Sequence, residues 1–195
     1  MKTLVLGLQG GPVSPATAVA LTIKHFPGGG PQELGLDPHY SFGKRQIYPG
    51  GRFEHHLKPF RAAIDAGVSS IMPYYGVPVG VTYQGVTYGS TGFAFSKEIV
   101  TDLLRGKLGF TGYVNSDTGI ISDRAWGLEQ RSVPERAAAA INGGTDTLSG
   151  FNSNQTITDL VRNNLVSAAR IDQAATRLLT EQFRLGLFEN PYVDS

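Results

Sequence analysis

Short apolar runs alternate with stretches of helical period along most of the chain. Strand-like runs occupy residues 18–23, 68–72, 112–114 and, more weakly, 145–148. Between them, apolar positions recur at the three-to-four spacing of an amphipathic helix. Residues 57–66 place Phe60, Ala63 and Ile64 on one face, and residues 97–106 do the same with Ile99, Val100, Leu103 and Leu104. Ser96 is placed to cap the second of these helices. Further helices are expected at 134–141, with Pro134 in the first turn, and at 157–165 and 171–185. The strands read as buried runs rather than as strict alternation. Helices separate them, and that combination predicts an α/β fold on a parallel sheet.

The segments after the strands are long and shaped. Residues 26–53 carry Gly28-Gly29-Gly30-Pro31, Asp37-Pro38 and Pro49-Gly50-Gly51, and residues 74–95 are rich in Gly and Tyr. With 25 glycines and 11 prolines in 195 residues, these read as built loops rather than simple turns. Each follows a strand and precedes a helix, which in α/β folds is the ligand-binding face. No internal repeat is read here. The apolar start, Met1 to Leu8, is cut short by Gln9-Gly10-Gly11-Pro12 and is taken as part of the fold, not as an export signal. It assigns no compartment. No run reaches the roughly 18 to 20 apolar residues that cross a bilayer.

A net charge of +1 gives no electrostatic basis for a nucleic-acid or membrane partner. Without cysteine there is no thiolate nucleophile or thiolate metal site. His25, His39, His55 and His56 lack a compact ligand spacing, so neither a metal nor another cofactor is expected. Gly28-Gly29-Gly30 has no following Gly-Lys-Ser/Thr, and Pro31 removes an amide donor, so a phosphate loop is not supported. The chemistry gathers at strand ends instead: Lys24-His25, Tyr74-Tyr75, Ser116-Asp117 and Asp146. Groups there can be partly dehydrated and shifted in pKa. Any single one of them also serves as a helix cap or turn closer.

Several motifs, in order, resemble glycoside hydrolase family 3. Lys24-His25-Phe26-Pro27-Gly28 is similar to a signature of that family. The helix from Leu57 to Gly67, the strand end Ile71-Met72-Pro73-Tyr74-Tyr75, the stretch from Leu103 to Asp117 and Arg184-Leu185-Gly186-Leu187-Phe188 follow in the family's order. The resemblance implies a retaining β-glycosidase of β-glucosidase type. Asp117 would be the nucleophile that forms a covalent glycosyl-enzyme intermediate, and Lys24, His25 and Tyr75 would bind the sugar. Two features depart from the pattern. Thr118 stands where the family usually has Trp, and the general acid/base, a Glu of a following domain in two-domain members, is not evident. Another branch, the β-N-acetylhexosaminidases, uses an Asp-x-His dyad, and Asp37-Pro38-His39 has that form. Asp-Pro is equally a turn starter.

The resemblance further implies a partial (β/α)8 TIM-like barrel of about four parallel β/α units, the last four and so the C-terminal half of the catalytic barrel domain, with residues 1–195 as a single half-barrel domain. Residues 1–10 would be the tail of an earlier helix, although propensity alone favours a strand. Open sheet edges pair with something. The expected partner, besides a β-linked glucoside or oligosaccharide, is therefore a second copy or a complementary barrel half. The alternative to an enzyme is an inactive fragment or scaffold that keeps the fold.

Overall fold

The computed structural model describes residues 1–17 and 19–192, so Ala18 of the first expected strand and residues 193–195 lie outside it. The chain opens on a helix, α1 (Lys2–Leu8), in agreement with the expected helix tail and against bare propensity. Strand β1 (Thr22–Phe26) follows. Its start lies four residues after the expected one, and it runs through Lys24 and His25. Ladder pairing, not apolarity, sets its limits: Thr22 faces Ser70 and Phe26 faces Pro73 across the parallel register with β3.

A short strand, β2 (Arg45–Gln46), and helix α2 (Phe53–Ile64) come next, then β3 (Ser70–Pro73) and β4 (Val77–Pro78). Helix α2 begins one turn ahead of the expected start because Phe53 joins Leu57, Phe60 and Ala63 on the buried face. The Tyr-rich loop is not irregular. It holds an antiparallel hairpin, β5 (Val81–Tyr83) and β6 (Val86–Tyr88), turned at Gln84-Gly85. Both turn residues have positive φ, 48° and 78°, as a two-residue hairpin turn of right-handed twist requires. The mirrored Val-Thr-Tyr triplets on either side were the available signal.

A wide helix with π-type hydrogen bonding (Glu98–Lys107) leads to β7 (Tyr113–Val114). Ser96 caps it, as expected, by accepting from the Ile99 amide at 3.3 Å. Three helices complete the chain: α3 (Val133–Gly143), α4 (Asn154–Arg162) and α5 (Ala168–Arg184). Each begins about one turn or less before its apolar periodicity does, because the capping serine sets the start. Ser132 forms a capping box with Glu135, Ser153 accepts from Thr156 and Ser167 accepts from Arg170.

The sheet runs in chain order, β1-β3-β7, with every pair parallel. A parallel bridge from Asn115 to Thr147 adds the fourth strand position. Helices pack on one side of this arc. The Phe26 and Phe60 rings, for example, meet edge to face at 5.2 Å between β1 and α2. The result is an α/β barrel segment that does not close on itself.

Asp146 lies at the start of the fourth strand position and its side chain is fully buried. It accepts from Arg105 at 2.6 Å, Arg170 at 2.9 Å, Arg177 at 2.8 Å and the Val114 amide at 2.9 Å. One carboxylate thereby ties the π-type helix, β7 and α5 together. Asp146 is a structural hub, not a member of the strand-end site that the sequence groups it with. Burial, reinforced by the neighbouring Arg177 and Arg170, lowers the Arg105 pKa to about 10 despite the partly offsetting Asp146. Removing the carboxylate that three nearly buried guanidinium groups share leaves them uncompensated. Asp146→Ala is expected to cost about 3–5 kcal/mol, seen as a lower urea midpoint of unfolding. A midpoint unchanged from the parent would refute this role.

Candidate active site

Because the strands are parallel, their C-terminal ends share one edge, and the expected site residues emerge there. His25 stands near the end of β1, Tyr74 and Tyr75 directly follow β3, and Asp117 lies three residues past β7. His25 Nε2 and Asp117 Oδ2 are 3.2 Å apart, with the two side chains 28% and 21% exposed. An ionised carboxylate only accepts, so Nε2–H of His25 is the donor. The other oxygen, Oδ1, accepts from the Thr118 amide at 2.6 Å. These donors hold the Asp117 carboxyl below its ordinary pKa, the His25 bond contributing most and Arg124 adding a through-space share. Partial burial opposes them.

The loop that carries Asp117 is fastened to the loop after the fourth strand position. The Ser116 amide donates to the Thr147 carbonyl at 2.9 Å, the Ser149 amide to the Ser116 hydroxyl at 2.8 Å, and the hydroxyls of Thr118 and Ser149 are 2.8 Å apart. Thr118 therefore presents a small hydroxyl used in loop closure at the position next to the carboxylate.

Tyr75 packs beside His25 and reaches a second histidine. Its hydroxyl lies 3.0 Å from His39 Nε2, and His39 Nδ1 lies 2.7 Å from Asp37 Oδ1. The Asp37 carboxylate accepts, so Nδ1 carries a proton. Neutral His39 then leaves Nε2 free to accept from the Tyr75 hydroxyl. The His39 amide also donates to Asp37 at 2.9 Å and is the leading cause of a lowered Asp37 pKa. The Tyr75 ring meets His25 edge-on at 6.3 Å and the Arg124 guanidinium at 5.4 Å. Burial and the nearby Asp117 raise the Tyr75 pKa, so the phenol stays protonated.

Five of the six expected residues thus form one connected group: Asp37, His39, Tyr75, His25 and Asp117. Lys24 does not join them. It is exposed on β1, and its ammonium makes no hydrogen bond or ion pair among the described residues. Arg124 was missed by sequence reasoning, and Tyr74, noted at its strand end, was not assigned a role. Arg124 donates to the Thr118 carbonyl and lies over Tyr75, while Tyr74 packs on Tyr75 at 4.7 Å and on His25 at 5.5 Å. No sequence spacing marks Arg124. Tyr74 shared its signal with Tyr75. Among the described residues no group of His, Asp and Glu is arranged to hold a metal ion.

The Asp117 geometry sets a pH dependence. A carboxyl depressed on folding stabilises the fold above its unfolded pKa, and that gain is lost as pH falls through the folded value. His25→Ala is expected to move the Asp117 carboxyl up toward its ordinary range, as followed by carbon NMR across an acid titration. An unmoved titration would show that His25 is not the main cause.

Residues 1–181 match the family profile described as Glycosyl hydrolase family 3 N terminal domain. Among curated proteins, the chain is 47% identical over 200 residues to "Probable beta-glucosidase C" of Aspergillus flavus, covering 97% of this chain and 31% of that relative. Among solved structures, it resembles a β-N-acetylhexosaminidase from Beutenbergia cavernae, with 29% identity, a TM-score of 0.67 and coverage of 83% of this chain and 46% of the other. A β-glucosidase from Listeria innocua shares the fold with a TM-score of 0.75 at 24% identity, over 98% of this chain and 25% of that one. The chain spans about a third of the length of the curated relatives it matches. The profile match over nearly the whole chain, on a parallel sheet whose strand ends carry the family's motifs, establishes that this chain belongs to glycosyl hydrolase family 3, within the N-terminal domain of that family.

Proposed function

We propose that the site belongs to a retaining β-glycosidase acting on terminal β-D-glucosides, with Asp117 as nucleophile. The observation that carries this is the ionised, half-buried Asp117 carboxylate held by His25 at the open edge of the sheet. A carboxylate fixed by two donors keeps lone pairs free to attack an anomeric carbon, and it can later leave. The β-glucosidase name of the Aspergillus relative supports the glucoside assignment. Lys24, His25 and Tyr75 would bind hydroxyls of the reacting ring.

The Asp37–His39 hydrogen bond favours a second feature, a dyad as general acid/base. Asp37 fixes the tautomer and supports the imidazolium, so Nε2 can carry a proton. In the first step an Asp117 oxygen bonds to the anomeric carbon. The bond to the leaving oxygen breaks with its electron pair, and that oxygen takes the Nε2 proton. In the second step water attacks the same carbon and gives a proton to Nε2, and Asp117 departs as carboxylate. Tyr75, bonded to Nε2 in the free site, would hold that nitrogen until the leaving oxygen replaces it. The β-N-acetylhexosaminidase among the structural relatives supports the dyad and makes N-acetyl-β-glucosaminides the competing substrate class.

We further propose residues 1–195 as a half-barrel unit whose open sheet is completed by a second copy or by a complementary barrel half. Apolar side chains flank both free edges, Leu4, Leu8 and Leu21 beside β1 and Leu148, Phe151 and Ile157 beside the fourth strand position. A light-scattering mass of one chain at micromolar concentration would reject the self-pairing arm.

A 2-fluoro β-glucoside with an activated leaving group is expected to label Asp117 covalently, with no label in Asp117→Ala. Labelling elsewhere would overturn the nucleophile, and no labelling of the folded chain would favour the inactive scaffold. Turnover of aryl N-acetyl-β-glucosaminides in preference to aryl β-glucosides would replace the substrate class. For the dyad, His39→Ala is expected to lower kcat/KM for poor leaving groups by about a hundredfold or more while sparing kcat/KM for dinitrophenyl glucosides, since general acid catalysis contributes about 10²–10⁴-fold. Equal losses on both would remove His39 from that role.

A further inference from the structure

The Pro38–His39 peptide unit lies between the two side chains of the dyad, and both of its polar groups are engaged. Its N–H, that of His39, donates to Asp37 Oδ1 at 2.9 Å. Its carbonyl, that of Pro38, accepts from the indole Nε1–H of Trp126 at 2.9 Å. In a trans peptide these two groups point in opposite directions, so fixing the carbonyl on one side aims the N–H on the other. The Asp37 oxygen that receives this N–H also lies 2.7 Å from His39 Nδ1. The direction of one peptide thus decides how the carboxylate meets the imidazole, and with it the tautomer and the heading of the ring.

Trp126 comes from the loop that follows Asp117, 88 residues along the chain from Pro38. It is the only tryptophan of the sequence and is 8% exposed. Its loop is pinned from behind by Arg136 of α3, whose guanidinium donates to the carbonyls of Ile121, Ser122 and Leu128 at 3.2 Å each and of Glu129 at 2.8 Å. On the other side, the Gly92 amide donates to the Trp126 carbonyl at 2.9 Å. Gly127, at φ 82°, passes so close to Ser90 that a Cβ would meet the Ser90 carbonyl oxygen at 2.0 Å. The ammonium of Lys44, from the end of the dyad loop, lies over the indole at 5.7 Å and pairs with Glu129. The indole N–H is therefore a donor of fixed position against which the dyad loop rests.

We propose that Trp126 is the positioning residue of the dyad: by holding the Pro38 carbonyl it keeps His39 Nδ1 on Asp37 and Nε2 turned toward Tyr75, and so ties the loop of the proposed nucleophile to the proposed proton donor. The inference rests on the reading of His39 as proton donor and deepens it. The lowered Asp37 pKa, caused first by the His39 amide, depends on the same peptide direction.

Trp126→Phe keeps an aromatic ring and removes the N–H. Proton–nitrogen NMR of the whole chain reports which nitrogen of each imidazole carries the proton. The parent His39 is expected in the Nδ1–H form, and the variant as a mixture of both tautomers. The Asp37 carboxyl of the variant should titrate nearer its ordinary range, while that of Asp117 stays in place. A His39 still held as Nδ1–H in the folded variant overturns the proposal. A second measurement needs no substitution. The chain has one indole N–H, and its hydrogen exchange should be protected; exchange at the rate of a free indole overturns the bond even if the variant fails to fold. In turnover, Trp126→Phe is expected to lower kcat/KM for alkyl glucosides about tenfold and to spare it for dinitrophenyl glucosides, a part of the roughly 10²–10⁴-fold that general acid catalysis supplies. Equal losses on both would mark a merely structural role and overturn the proposal while leaving the dyad intact. Equal losses in His39→Ala would instead remove the proton-donor reading, and the catalytic consequence claimed for Trp126 with it.

Discussion

Parallel pairing is the constraint from which the site follows. Ile23, Ile71 and Val114 lie level across three strands that all run the same way. Whatever follows each strand must then leave the sheet at the same edge. His25, Tyr74, Tyr75 and Asp117 are brought together from positions up to 92 residues apart in this way. No long-range attraction between them is needed. Fastening the Asp117 loop to Ser149, and the Phe26 carbonyl to the Tyr74 amide at 2.6 Å, then removes the remaining freedom. The buried Asp146 secures the same sheet from behind, where three arginines on two helices converge on it.

Much of this was legible from the sequence, for a physical reason. Buried strands in a parallel sheet must be apolar throughout, so they stand out, and the first polar residue after each marks the functional edge. His25, Tyr75 and Asp117 were found by that logic together with the family motifs. Asp146 satisfied the same pattern and was grouped wrongly, since strand-end position says nothing about which arginines another helix will deliver. Lys24 shared the strand-end pattern and the family motif; it stands exposed and makes no hydrogen bond or ion pair among the described residues. The hairpin from Val81 to Tyr88 was hidden by its glycine-rich surroundings, although its alternation was present.

The two histidine–carboxylate pairs share chemistry and differ in setting. His25–Asp117 is mostly buried and His39–Asp37 is more than half exposed. In the first the carboxylate faces the open site and the imidazole supports it. In the second the carboxylate is behind and the imidazole faces forward, toward Tyr75. That reversal of order is what separates a group fit to attack from a group fit to pass a proton. It comes from loop geometry, since Asp37 bonds both the amide and the ring of a residue two positions on.

Tyr75 is where the two pairs meet, and its protonation state matters to both. As a phenol it can donate to neutral His39 at Nε2. Turned into a phenolate, it would place a second negative charge beside Asp117. Burial and the Asp117 charge both act against that ionisation, while Arg124 over the ring acts in its favour. The net effect keeps Tyr75 a neutral phenol, bonded to His39 and placed near Asp117. A Phe at this position would fill the same space and keep the contacts to His25 and Arg124, but it would leave Nε2 of His39 without its partner. The hydroxyl is therefore the part of Tyr75 that engages His39, while its ring packs on His25 beside Asp117.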